Sequence, residues 1–96
     1  MEIIHFYVFG RVQGVGYRAW AVRTARQLGL SGWVRNRTNG CVEIYAQGEE
    51  SDLNLLRQMC LKGPFWSRVQ RLEAVHIPDT PLLPVSDGIF EQKPTV

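Results

Sequence analysis

Residues 10–18 read Gly-Arg-Val-Gln-Gly-Val-Gly-Tyr-Arg, a glycine-rich loop that ends in an arginine. An apolar, strand-like run, Ile3 to Phe9, leads into it, and a helix-like run, Arg18 to Leu28, leaves it. Three glycines let a backbone turn sharply and point several N–H groups to one side. A helix start adds N–H groups with no partner inside the helix, and the positive end of the helix dipole. Arg18 supplies a planar, always charged, forked donor. Such a set receives a tetrahedral oxyanion, and phosphate suits it best. The candidate binding residues are Gln13, Gly14, Val15, Gly16, Tyr17 and Arg18. The loop is not a Walker A motif, because no lysine and no metal-binding hydroxyl follow the glycines. Nor does the spacing of Gly10, Gly14 and Gly16 fit Gly-x-Gly-x-x-Gly. The bland alternative is a glycine-rich turn with no ligand. A cation at a helix start is unfavourable without an anion, which counts against it.

The elements that must carry this loop follow from periodicity. Residues 3–9 are apolar on both faces, as a central strand requires. Residues 18–28 form a first helix with Ala21, Ala25 and Leu28 as its buried stripe, stopped by Gly29. Residues 32–38 and 41–47 flank Asn39-Gly40, which suits a two-residue type I′ hairpin turn. Residues 52–62 form a second helix with Ser51 as N-cap. Leu53, Leu56 and Cys60 make its stripe, joined by Met59, and Gly63-Pro64 ends it. Residues 68–77 make a further strand, and the prolines between Pro78 and Asp87 demand a loop. Ile89 to Lys93 is weakly patterned and can add a short fifth strand before Pro94. The order β-α-β-β-α-β predicts an α+β, ferredoxin-like sandwich: an antiparallel sheet with two helices on one face.

Length and composition bound the answer. The chain has 96 residues, enough for one core and one domain over 1–96. Its 45% hydrophobic and 21% charged content are those of an ordinary globular protein. No run reaches the ~18 apolar residues of a membrane span, and no basic-then-apolar leader opens the chain. A cytoplasmic, monomeric protein is expected. Net charge is +2, but residues 1–40 hold six arginines against one acid. The positive half is the half with the loop, which favours a small anionic ligand. Nucleic acid calls for a stronger, lysine-rich excess. Cys41 and Cys60 follow no metal spacing, so no metal and no cofactor is expected. His5 and His76 stand alone and read as structural or surface residues.

Two further stretches stand at telling distances. Residues 32–42 read Gly-Trp-Val-Arg-Asn-Arg-Thr-Asn-Gly-Cys-Val, and residues 62–69 read Lys-Gly-Pro-Phe-Trp-Ser-Arg-Val. With the loop, they resemble the acylphosphatase family, over Ile4 to about Ile77. The resemblance implies a metal-free hydrolase that splits acyl phosphates into a carboxylate and phosphate. The chemistry fits, since a carboxylate of conjugate-acid pKa about 4 leaves without a strong general acid. What remains is positioning and charge stabilisation. The resemblance assigns Arg18 to clamp the phosphoryl oxygens and Asn36 to hold the attacking water. A carboxamide both accepts and donates but is a poor base, so its role is orientation. One departure touches the site: the family often has threonine after the asparagine, and this chain has Arg37. Arg35 and Arg37 read as solvent-facing charges, and Trp20, Trp33 and Trp66 as core or rim packing.

Three rivals remain. Similar domains sit inside larger carbamoyl-transfer proteins, where they bind carbamoyl phosphate. RNA binding by a ferredoxin-like sheet is a second reading, but Cys41-Val-Glu-Ile-Tyr-Ala-Gln47 lacks the paired-aromatic pattern. A regulatory small-molecule-binding domain is the third.

Overall fold

The apolar run at the start of the chain forms β1 (Glu2–Arg11), and its alternation decides what it packs against. Ile4, Phe6 and Val8 share one face and are buried in the main core. The computed structural model describes residues 2–76 and 89–96. After β1 come α1 (Tyr17–Gln27), β2 (Ser31–Asn36), β3 (Val42–Gly48), α2 (Glu50–Lys62), β4 (Arg68–His76) and β5 (Phe90–Gln92). The loop expected over Pro78 to Asp87 lies outside the described residues.

The strands lie in the order β4-β1-β3-β2-β5, so β1 is central. Pairs among β1 to β4 are antiparallel, while β5 joins β2 in parallel. The sandwich is therefore the ferredoxin-like α+β fold, with a fifth edge strand that makes the sheet mixed. Both helices cover one face. From α1 come Tyr17, Ala21, Val22 and Ala25, and from α2 come Leu53, Leu56 and Cys60. They meet Phe6, Val8, Val34 and Ile44. Phe90 of β5 is buried against Gly32, where any Cβ would fall 1.8 Å from the Tyr45 carbonyl oxygen.

Local details depart from expectation. Met59 is 39% exposed and lies outside the α2 stripe. The N-cap of α2 is Glu49, not Ser51, because the Glu49 carbonyl already accepts the Leu53 N–H at 3.0 Å. The hairpin does not use a type I′ turn, since Asn39 keeps a negative φ. Instead Gly40 N–H donates to Arg37 O at 3.0 Å, and Arg37 N–H donates to Cys41 O at 2.9 Å. Residues 38–40 thus form a three-residue loop, and Gly40 takes the positive φ of 97°.

Candidate active site

Between β1 and α1 the backbone alternates in sign. Gly14 and Gly16 have φ of 73° and 81°, and Val15 between them is negative. This alternation turns successive N–H groups toward a common centre. Gly16 caps α1 without a side chain, and the first intrahelical bond there is Trp20 N–H to Gly16 O at 3.1 Å. The N–H groups of Tyr17, Arg18 and Ala19 precede it. The first turn of α1 holds no acid, whereas that of α2 holds Glu50 and Asp52. The positive end of α1 is thus left for an external anion.

These groups open on a cavity of about 140 Å³ lined by Val12, Gly14, Gly16, Tyr17, Arg18, Ala19, Asn36 and Gln92. Its volume is well below the roughly 300 Å³ at which drug-sized pockets begin, so it suits a small anion. Arg18 and Asn36, far apart in sequence, therefore share one cavity. Arg18 has no carboxylate partner among the described residues, whereas Arg35 and Arg37 both contact Glu43. Asn36 sits at the end of β2 on the helix-facing side, in line with buried Val34. Its Oδ1 is buried and has no hydrogen-bond partner among the described residues. An unpaired buried acceptor costs about 1–3 kcal/mol, and such a cost is typical of a site that awaits a ligand.

Other expected site residues are placed differently. The Gln13 side chain does not line the cavity. Its Nε2 donates to Arg37 O at 2.7 Å and to Cys41 O at 2.9 Å. It thereby straps the loop to the hairpin that carries Asn36. Arg37 contributes a carbonyl to this strap, so the departure from the family's threonine leaves the strap intact. Val15 packs against the core rather than into the cavity. The Tyr17 hydroxyl is committed elsewhere: it is buried and donates to Cys60 O at 2.6 Å. Burial pushes that phenol far above its ordinary range. Gln92 on β5 was absent from the expected set. A three-residue strand carries too little pattern to reveal it.

The other face of the sheet holds a second polar centre. Glu43 is buried and accepts from Arg35 Nε at 2.6 Å, from Arg37 Nη1 at 3.3 Å and from His5 Nε2 at 2.5 Å. Arg35 also lies over Trp33, 4.6 Å from the ring centre. Arg35 is therefore paired and mostly covered, whereas Arg37 reaches Glu43 but keeps a 39% exposed side chain. Trp33 is buried and stacks on Tyr45, while Trp66 is 72% exposed beside exposed Phe65. Trp66 is thus not core, and it packs edge-on to Phe65 at the surface with ring centres 5.0 Å apart. Cys41 and Cys60 are buried free thiols. Burial pushes Cys60 up to about 12, with the Tyr17 hydrogen bond opposing.

The α+β sandwich thus brings a glycine loop, a guanidinium and a carboxamide around one small cavity. The family model for acylphosphatase matches residues 4–83. An acylphosphatase of Rhodospirillum rubrum is 41% identical over 96 residues, covering 100% of both chains. One of Leuconostoc mesenteroides is 49% identical over 79 residues, 81% of this chain and 88% of that one. The crystal structure of acylphosphatase from Bacillus subtilis superposes with a TM-score of 0.87 at 31% identity, covering 97% and 99% of the two chains. The chain belongs to the acylphosphatase family.

Proposed function

We propose that this protein is an acylphosphatase that hydrolyses small acyl phosphates without a metal. What supports this reading most is the convergence of Arg18, the free N–H groups of the α1 start and the unpartnered Asn36 Oδ1 on one phosphate-sized cavity. The loop N–H groups and Arg18 hold the phosphoryl oxygens and neutralise charge in the transition state. Asn36 accepts one O–H of a water and aims its lone pair at phosphorus, in line with the leaving oxygen. The water oxygen bonds to phosphorus, and the P–O bond to the acyl group breaks with its electron pair. The acyl group leaves as a carboxylate. Both protons of the water end on phosphate, as dihydrogen phosphate, so no separate base is needed. The cavity donors are a guanidinium, amides and backbone N–H groups, all complementary to an anion.

In this reading residues 1–96 act as one domain and as a cytoplasmic monomer on small-molecule substrates, not on nucleic acid. No helix among the described residues is long and apolar enough to cross a membrane. The test is hydrolysis of benzoyl phosphate with and without a chelator. Activity should be unchanged by the chelator and competitively inhibited by inorganic phosphate. Activity lost on chelation and restored by a divalent ion would overturn the mechanism.

A further inference from the structure

We infer that Gln92 is a second water-holding residue of this active site, acting with Asn36 on the attacking water. The inference rests on the proposed reaction and adds a residue to it. A single carboxamide fixes one direction of a water molecule. Its Oδ1 takes one O–H, and the water still turns about that bond. Aiming a lone pair at phosphorus needs a second polar partner for the same water.

The structure offers one. Gln92 and Asn36 line the same cavity. In the parallel β2–β5 register Gln92 lies opposite Val34, and Val34 shares its face of β2 with Asn36. The two carboxamides are therefore diagonal neighbours on adjoining strands, within reach of one shared small molecule. The backbone that carries Gln92 is held from several sides. Lys93 N–H donates to Val34 O at 2.8 Å, and Gly32 N–H donates to Ile89 O at 2.8 Å. Val96 N–H donates to Asn36 O at 3.2 Å. Arg26 Nε of α1 donates to Phe90 O at 3.1 Å. The charges beside Gln92 satisfy each other, with Lys93 Nζ 2.9 Å from Glu91 Oε1. That leaves the neutral carboxamide as the strand's polar group toward the cavity. A neutral amide cannot replace Arg18 as a phosphoryl clamp, but through Nε2 it can donate to the lone pair of the water that does not attack, which leaves the second O–H free to face a phosphoryl oxygen.

The test compares Gln92→Met, Asn36→Ala and the double variant, with acetyl phosphate as substrate. Methionine keeps the length of the side chain and removes the amide. Gln92→Met should lower kcat about tenfold, the rate equivalent of one net hydrogen bond. Its inhibition constant for inorganic phosphate should move less than about twofold, because phosphate is gripped elsewhere. The double variant should be no more than about twofold slower than Asn36→Ala, since both act on one water. An unchanged kcat in Gln92→Met overturns the inference. So does a double variant that loses the product of the two single effects, or a phosphate affinity that falls as far as kcat. If Asn36→Ala is itself active at the normal rate, the failure belongs to the proposed water-holding site as a whole.

Discussion

At the scale of single residues, Arg18 and Asn36 share a cavity, and the proposed reaction gives them different partners, so their variants should differ accordingly. Arg18→Ala should lose both turnover and phosphate binding, by about 10³-fold or more in rate. Arg18→Lys should rescue only part, because a point charge does not span two oxygens. Asn36→Ala should lower kcat by at least about 10²-fold while the phosphate inhibition constant stays nearly unchanged. Steady-state kinetics with phosphate as competitive inhibitor separates the two. A folded Arg18→Ala protein within about tenfold of normal would remove Arg18 from its role. Arg18 was legible in the sequence because glycine spacing reports local backbone shape, and a local shape stays close to its residues. Asn36 was legible only through its motif. The roles of Gln13, Tyr17 and Gln92 were not, since each depends on a partner 24 or more residues away.

The elements meet through such distant partners. Tyr17 opens α1, yet its hydroxyl satisfies the Cys60 carbonyl in the last turn of α2, a group with no intrahelical donor. Tyr17→Phe should therefore destabilise the fold by about 1–3 kcal/mol through a buried, unpaired carbonyl. Turnover at saturating substrate should stay within about threefold of normal, since the Tyr17 hydroxyl is spent on the Cys60 carbonyl. Urea unfolding and kcat on the same preparation check both. A collapse in kcat with stability intact would return the phenol to the site. Helices and strands were readable because their stripes and alternations repeat. What escaped was end chemistry. Ser51 looks like a cap by residue type, but the Glu49 carbonyl makes the first bond. Asn39-Gly40 looks like a type I′ turn, but the Arg37–Cys41 pair sets a longer loop. Residue type proposes a turn, and strand register decides it.

For the whole molecule, acid should act through the buried centre on the outer face of the sheet. Burial holds His5 below its ordinary 6.5, although Glu43 pulls it upward and Arg35 and Arg37 push it down. Burial pushes Glu43 upward, but Arg35 and His5 outweigh it and hold the carboxyl below its ordinary 4.5. Both groups bind a proton more weakly in the folded state than in the unfolded one. Their stabilising contribution is complete above pH 6.5 and is lost as pH falls, first through His5 and then, below 4.5, through Glu43. The urea midpoint should decline in those two windows, and His5→Gln should remove the first decline while keeping the second. A flat midpoint between pH 6.5 and 4.5 in the parent protein would contradict the account of His5. The C-terminal edge has a consequence for partial unfolding. Val96 clasps Asn36 and Thr38 by their backbones, and Gln92 of β5 lines the cavity. A three-residue edge strand opens more readily than the centre of the sheet. While it is away, the glycine turn and Arg18 stay in place and the wall beside Asn36 is missing, so at moderate urea phosphate binding should outlast full turnover.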